Sequence, residues 1–97
     1  MIYLISYDIG NDRLRTKTAK ILVAAGYERI QYSVYLGISD PKKDSSLWQK
    51  LEKMSDAEDY QLITLPIPIK EFRLMEILGK IGVDLDYLSG DKHTLII

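Results

Sequence analysis

The chain has 97 residues, of which 46% are hydrophobic, and its formal net charge at pH 7 is −1. This length suits one domain, spanning residues 1–97, and the hydrophobic fraction excludes a disordered tail. The chain has no cysteine, which excludes disulfides and thiolate metal sites. It has no cationic leader and no apolar run near the ~20 residues of a membrane helix, so we expect a cytoplasmic protein without a membrane partner.

The first predicted element is a strand from Ile2 to Asp8, which is apolar on both faces and is therefore expected at the centre of a sheet. Gly10 and Asn11 favour a turn, and Asn11 or Asp12 can cap the helix that follows. This helix carries one apolar stripe and is expected to end at Gly26, because glycine suits the C′ position. The stripe consists of Leu14, Thr18, Ile21, Leu22 and Ala25.

The segment from Glu28 to Ile38 alternates with a period of two, which predicts one long strand or two short strands separated by a bend. One face of this alternation is formed by Ile30, Tyr32, Val34 and Leu36. The pattern therefore assigns Tyr32 to the core.

A second helix is expected to begin after Asp44 or Ser45. Its core-facing residues are predicted to be Leu47, Trp48, Leu51 and Met54. A strand from Tyr60 to Leu65 follows, and the two prolines after it end it or confine it to a sheet edge. Helical spacing then predicts a short helix from Lys70 to Ile81.

The end of the chain is predicted to form an acidic loop from Val83 to Lys92 and a terminal strand from Thr94 to Ile97. The succession of elements predicts an α+β fold, a ferredoxin-like βαββαβ sandwich with both helices on one face of the sheet. The terminal strand is extra to this fold. We expect it to pair with the sheet edge of a partner subunit.

The sharpest chemical feature is Asp8, a carboxylate where an apolar strand meets a loop. Two interpretations remain open: the side chain binds a hard cation such as Mg²⁺, or it accepts hydrogen bonds from the turn at Gly10 and Asn11. One carboxylate alone is a poor Mg²⁺ site. A two-fold axis would bring two copies of Asp8 together, so the metal interpretation favours a homodimer that shares the ion.

Cations cluster after this acid. Residues 13–29 contain five cations against one acid, whereas residues 52–59 contain four acids against one cation. Arg13, Arg15 and Lys17 open the first helix, where the macrodipole disfavours positive charge, and phosphate binding would explain their placement. Ordinary solvated surface charge is the alternative.

Aromatic residues lie close to Arg29 in the sequence. Tyr35 follows it, and Tyr7 precedes Asp8 on the first strand. Tyrosine interleaved with arginine can stack on bases and hold a nucleic-acid backbone. Tyrosine at the boundary between core and surface needs no ligand, so a purely structural role is also open.

Two segments together resemble the small CRISPR-associated protein family Cas2: YDIGNDRLR, from Tyr7 to Arg15, and GYERIQYSVYLG, from Gly26 to Gly37. The family pairs a tyrosine–aspartate–isoleucine strand end with an arginine-rich helix start. A glycine, an arginine and a glutamine–x–serine–valine–aromatic motif follow. The resemblance covers residues 1–40 closely, and DYQLITLPI, from Asp59 to Ile67, resembles the next strand of the family more loosely.

The resemblance implies a ferredoxin-like homodimer whose C-terminal strand crosses to the partner subunit. It implies a role in CRISPR spacer acquisition and antiviral defence, beside the integrase subunit. It also implies one of two activities. Some members are Mg²⁺-dependent endonucleases that act on single-stranded RNA or double-stranded DNA, and others act as a structural bridge that holds DNA.

Carried over residue by residue, the resemblance implies that Asp8 is the catalytic metal ligand and that Arg15 and Arg29 are cations important for cleavage or binding. Four further residues are candidates for contacts with nucleic acid: Tyr7, Arg13, Lys17 and Tyr35. Lys17 stands where some members have arginine, so it keeps the charge but loses the bidentate geometry.

Three functions are therefore open at the level of sequence. The first is a metal-dependent endonuclease for RNA or DNA. The second is a non-catalytic, dimeric DNA-binding adaptor of the spacer-integration complex. The third, independent of the resemblance, is a small-ligand regulatory module on the same fold, which the arginine-rich helix start disfavours.

Overall fold

The computed structural model describes residues 1–79, which form a four-stranded antiparallel sheet in the order β2-β3-β1-β4. In chain order the strands are β1 (Ile2–Ile9), β2 (Glu28–Gln31), β3 (Val34–Gly37) and β4 (Tyr60–Ile67). The helices are α1 (Asp12–Ala24), a 3₁₀ turn at Pro41–Lys43, α2 (Ser45–Met54) and α3 (Ile69–Phe72). This succession and strand order are ferredoxin-like, which confirms the predicted fold class.

Strand β1 lies at the centre of the sheet, as its two apolar faces predict. It pairs antiparallel with β3 over Tyr3 to Ser6 and with β4 along its whole length. Alternate residues of β1 point to opposite faces. Ile5 belongs to the core beneath α1 and α2, whereas Ile2 belongs to a smaller cluster on the other face.

The segment after α1 forms two short strands, β2 and β3, and the chain reverses between them at Tyr32 and Ser33. The prediction that Tyr32 lies in the core is wrong, because its side chain is 71% exposed. The period-two pattern holds only while the backbone stays extended. A reversal in the middle of the pattern places Tyr32 at the tip of the hairpin.

Helices α1 and α2 pack on one face of the sheet, as predicted. Buried residues of both helices, of β1 and β3 and of the loop before β2 form this core: Ile5, Tyr7, Ile9, Leu22, Tyr27, Tyr35, Leu47, Leu51 and Met54. Thr18 is fully buried on α1, and its hydroxyl hydrogen-bonds the Tyr60 hydroxyl at 2.8 Å, so α1 is tied to β4. A hydroxyl in this position needs such a partner, because an unpaired one would cost about 1–3 kcal/mol.

The ends of α1 match the sequence signals. The Asn11 side chain accepts a hydrogen bond from the Leu14 amide at 2.9 Å, which identifies Asn11 as the N-cap. Gly26 follows the C-cap with φ +98°, a left-handed conformation that favours glycine. Helix α2 is capped in the same way by Asp44, which accepts from the Leu47 amide at 3.1 Å.

The opposite face of the sheet is partly covered. Ile2, Leu36 and Phe72 form a small buried cluster there. Beside it, Ile63 and Leu65 of β4 are 56% and 52% exposed. We call this second side, which α1 and α2 leave uncovered, the open face.

The predicted helix from Lys70 to Ile81 is wrong in extent, because α3 ends at Phe72 after four residues. A single turn is marginal on its own, and Phe72 and Met75 reach the open-face cluster without a longer helix. Ile81, the predicted loop at 83–92 and the predicted strand at 94–97 lie outside the described residues. Within residues 1–79, no helix has the length and apolar character needed to cross a bilayer.

Candidate nucleic-acid and metal site

Asp8 lies near the end of β1, and its side chain is exposed. Its neighbours Tyr7 and Ile9 belong to the core beneath the helices, so the alternation of the strand directs Asp8 to the open face. Gln61 of β4 is paired with Asp8 across the sheet and points the same way. The carboxylate therefore shares one face with the exposed apolar residues of β4.

A shallow depression beside Asp8 is lined by Gly10, Asp59, Tyr60 and Gln61. The Gly10 amide donates to the Asp59 carbonyl oxygen at 2.9 Å, and a Cβ on Gly10 would lie 3.0 Å from the Cβ of Asp59. Asp59 itself has φ +60°. This close approach places a second carboxylate at the same end of the sheet as Asp8.

Sequence reasoning missed Asp59 and Gln61, because both fell in segments interpreted only as an acidic surface and a strand. The signal that could have found them is the pairing of β1 with β4. A central strand that runs antiparallel to a later strand brings the end of the first beside the start of the second. Residues 59–61 then lie opposite residues 8–10.

The donor set fits the predicted Mg²⁺. Asp8 and Asp59 each offer a carboxylate, and the side-chain amide of Gln61 offers a carbonyl oxygen. Mg²⁺ is typically held by one or two carboxylates while it keeps several waters. Among residues 1–79 no group of three or more histidine, cysteine or acidic side chains surrounds a common point. This part of one subunit therefore does not form a complete protein cage.

Arg15 is fixed at the junction of β1 and α1. Its guanidinium donates to the Ile9 carbonyl oxygen at 3.0 Å and forms an ion pair with Asp12. The hydrogen bond to Asp12 raises the pKa of Arg15, and the nearby Tyr32 hydroxyl acts in the same direction. These contacts hold the Arg15 guanidinium beside Ile9, the residue after Asp8.

Arg29 is fixed by the tip of the β2–β3 hairpin. Its Nε and one terminal nitrogen both donate to the Tyr32 carbonyl oxygen, at 3.2 and 3.1 Å, and its guanidinium lies 5.0 Å from the centre of the Tyr32 ring. The hairpin is attached to β1 by a hydrogen bond from the Tyr7 amide to the Ser33 carbonyl oxygen, at 3.1 Å. Arg15, Arg29 and Tyr32 thus meet at the end of the sheet that carries Asp8.

The faces of these residues differ. Arg29 is paired with Tyr35, whose side chain lies in the core beneath the helices, so Arg29 leaves the sheet on the helix side. Asp8 leaves it on the open face. A nucleic-acid strand that contacts both must pass around the end of the sheet.

Tyr7 and Tyr35, two of the predicted nucleic-acid contacts, are buried at 6% and 0% exposure. Their hydroxyls are 3.4 Å apart, and their rings stack with centroids 5.9 Å apart. Burial raises the pKa of Tyr7 well above its usual value, and the Tyr35 hydroxyl adds to the shift. The structure corrects this part of the site prediction, because neither ring offers a surface on which a base could stack.

The remaining two predicted contacts separate. Arg13 is exposed on the first turn of α1, beside Arg15. Lys17 instead lines a groove between α1 and α2, which it shares with Lys20 and Lys50. Arg13 can therefore join the cluster at the end of the sheet, whereas Lys17 belongs to a different surface.

Comparison with known proteins identifies the family. The sequence model described as CRISPR associated protein Cas2 matches residues 1–75, which is more than half of the chain. The chain belongs to the Cas2 family. Every candidate site residue, from Tyr7 to Gln61, lies within the matched range.

Curated Cas2 relatives and solved structures are similar to this chain over most of its length. The chain is 33% identical to a CRISPR-associated endoribonuclease Cas2 of Aeropyrum pernix, over 70% of this chain and 75% of the relative. It is also 33% identical to the CRISPR-associated endoribonuclease Cas2 3 of Synechocystis, over 81% and 85%. The crystal structure of Streptococcus pyogenes Cas2 is similar, with a TM-score of 0.64 and 25% identity over 81% of this chain and all of that one. A hypothetical protein from Thermus thermophilus gives a TM-score of 0.66 and 27% identity, over 84% and 94%.

Proposed function

We propose that this Cas2 family protein is a metal-dependent endonuclease of CRISPR antiviral defence, which cleaves RNA or DNA as a homodimer. Its curated relatives are named endoribonucleases, which supports the nuclease activity and makes RNA the first substrate to examine. The observation that carries the proposal is the position of Asp8, an exposed carboxylate on the open face beside Gln61 and near Asp59.

The homodimer is supported by the open face itself. Ile63 and Leu65 are large, apolar and more than half exposed, on the same face as Asp8. Contiguous exposed apolar residues mark surfaces that another chain covers. An isologous dimer through this face would bring the two copies of Asp8 toward the two-fold axis.

In the proposed site, Asp8 of each subunit would hold the Mg²⁺ ion, and Asp59 and Gln61, which line the same depression, would orient its waters. A bound Mg²⁺ would supply Lewis acidity toward a phosphodiester oxygen and a more acidic water. Arg15 and Arg29 would bind phosphates of a strand that passes around the end of the sheet, and would offset its negative charge. Their contacts to Ile9 and Tyr32 hold both guanidinium groups in place before the substrate arrives.

The proposal is tested by incubating the purified protein with single-stranded RNA, single-stranded DNA and duplex DNA, with Mg²⁺ and with EDTA. We expect cleavage of at least one substrate in Mg²⁺ and none in EDTA. Cleavage that survives EDTA would contradict a metal-dependent mechanism, and absence of cleavage under both conditions would favour the second candidate function.

That second candidate is a non-catalytic adaptor that holds DNA beside the integrase subunit during spacer acquisition. It is favoured by the position of Arg29 on the sheet face opposite to Asp8, and by that of Arg15 on α1, outside the sheet. Phosphate binding by these arginines does not require the carboxylate. In a spacer-integration assay, the adaptor role predicts that Asp8→Asn has no effect, whereas charge reversal at Arg13 and Arg15 stops integration.

A further inference from the structure

Tyr32 is a large, exposed hydrophobic side chain beside the candidate site, and the proposed mechanism does not use it. The residue is 71% exposed at the tip of the β2–β3 hairpin. An aromatic ring in water is costly compared with a polar residue in the same turn, unless something covers it. No core packing explains its presence there.

The ring is held in a defined orientation. The Arg29 guanidinium lies against one face, 5.0 Å from the ring centre, and the same guanidinium donates twice to the Tyr32 carbonyl oxygen. One side chain therefore fixes both the backbone and the ring of Tyr32. The second face of the ring remains open to solvent, which the high exposed fraction requires.

Two arginines, Arg15 and Arg29, lie beside this ring. Arg29 covers one face, and Arg15 lies near the Tyr32 hydroxyl while it donates to the Ile9 carbonyl oxygen. Arg13 is exposed on the same turn of α1. An aromatic face bordered by guanidinium groups is the arrangement that binds a base by stacking and its phosphates by charge.

We propose that the ring of Tyr32 is a stacking subsite for one unpaired nucleobase, so that the site takes single-stranded nucleic acid beside Arg15 and Arg29. This inference rests on the proposed function as far as nucleic-acid binding is concerned, but not on cleavage. A base inside a duplex has both faces stacked on its neighbours, and taking it out costs energy. A single strand offers its bases freely, and stacking tolerates every sequence because each base has an aromatic face.

The test measures equilibrium binding of the full-length protein to labelled RNA and DNA strands by fluorescence anisotropy, in EDTA, so that cleavage does not interfere. Each strand is compared with its duplex and with a strand of equal length that is abasic throughout. We expect Tyr32→Ala to weaken binding to the base-bearing single strands roughly ten- to hundredfold. Tyr32→Phe should bind like the wild type, since it keeps the ring.

Tyr32→Ala also removes the ring contact with Arg29. The abasic strand distinguishes a loss of base stacking from a change in the position of Arg29. If the ring stacks on a base, the wild type loses affinity for the abasic strand, and Tyr32→Ala causes no further loss there. Ile38→Ala is the matched control, because Ile38 is 69% exposed just beyond the other end of β3. Circular dichroism verifies that each variant is folded.

Two results would overturn the inference while leaving the proposed function intact: Tyr32→Ala binds the base-bearing strand as tightly as the wild type, or it weakens base-bearing and abasic strands equally. A wild type that prefers the duplex to the single strand would also overturn it. A wild type that binds no nucleic acid at all would instead remove the proposed function, and this inference with it.

Discussion

Arg15 donates a hydrogen bond to the carbonyl oxygen of Ile9, at 3.0 Å, and so joins the start of α1 to the residue after Asp8. The side chain holds these two elements together and is only 30% exposed, while its other terminal nitrogen pairs with the exposed Asp12. The position of the Arg15 guanidinium relative to the Asp8 carboxylate therefore depends on these two contacts of Arg15.

Arg15→Lys should weaken nucleic-acid binding roughly three- to tenfold, because lysine keeps the charge but cannot donate to Ile9, Asp12 and a phosphate together. Arg13→Lys is the matched control, since Arg13 is exposed on the same turn and makes no such brace. Binding isotherms at one fixed salt concentration measure both. Equal losses for the two variants would mean that only charge matters at this turn.

Tyr7→Phe should lower the free energy of unfolding by about 1–3 kcal/mol, because it leaves the buried Tyr35 hydroxyl without its partner. The double variant Tyr7→Phe/Tyr35→Phe should recover most of this loss, since neither hydroxyl then remains unpaired. Urea denaturation measures the three values. Nucleic-acid affinity should stay unchanged in all of them, and a specific loss of affinity in a fully folded Tyr7→Phe variant would restore the direct contact that burial argues against.

Stability should fall at alkaline pH. Burial is the main cause that raises the pKa of Tyr27 to about 12, and it also raises the pKa of Tyr60. The unfolded chain loses these protons near pH 10, whereas the folded chain keeps them, so the contribution is complete below about pH 10 and is lost as the pH rises toward the folded values. Thermal denaturation across this range, with phenolate absorbance recorded in parallel, measures the effect.

Tyr27→Phe should reduce the loss of stability between neutral and alkaline pH, because it removes one hydroxyl whose pKa is raised in the folded state. It should also lower stability at neutral pH, since the Tyr27 hydroxyl donates to the Ser39 carbonyl oxygen at 2.5 Å. If every tyrosine of the native wild type ionised together near pH 10, the burial of these hydroxyls would be contradicted.

The open face should mediate dimerisation. Ile63→Asp combined with Leu65→Asp should convert a dimer into a folded monomer of 11.2 kDa, because two charges would be buried in an apolar interface. Val23→Asp, which alters an exposed apolar residue of α1 on the other side of the sheet, should leave the dimer intact. Sedimentation equilibrium gives the masses. A wild type that is monomeric at all concentrations would remove the symmetric metal site.

Much of this architecture follows from sequence periodicity. The two-faced apolar strand predicted the central β1, and the residues Asn11 and Gly26 predicted the ends of α1. The same periodicity failed at Tyr32, because a hairpin reversal leaves the alternation of residue types unchanged while it turns the chain around. The helical spacing also predicted too long a helix after Phe72. Phe72 and Met75 reach the same open-face cluster although α3 ends at Phe72.

The site was predictable only in part. Asp8 and the arginines stand out in the sequence, and family resemblance adds their expected roles. Asp59 and Gln61 become neighbours of Asp8 only through strand pairing, which a single sequence does not display. The burial of Tyr7 and Tyr35 depends on which face of the sheet receives the helices, and composition cannot determine that.

The carboxylate of Asp8 should be required for metal-dependent cleavage but not for holding nucleic acid. Asp8→Asn is the direct test, with Asp56→Asn as the control, because Asp56 is an exposed acid in the turn between α2 and β4. We expect Asp8→Asn to abolish Mg²⁺-dependent cleavage while strand affinity and folding are retained, and Asp56→Asn to behave as the wild type. Cleavage by Asp8→Asn at the rate of the wild type would contradict this expectation.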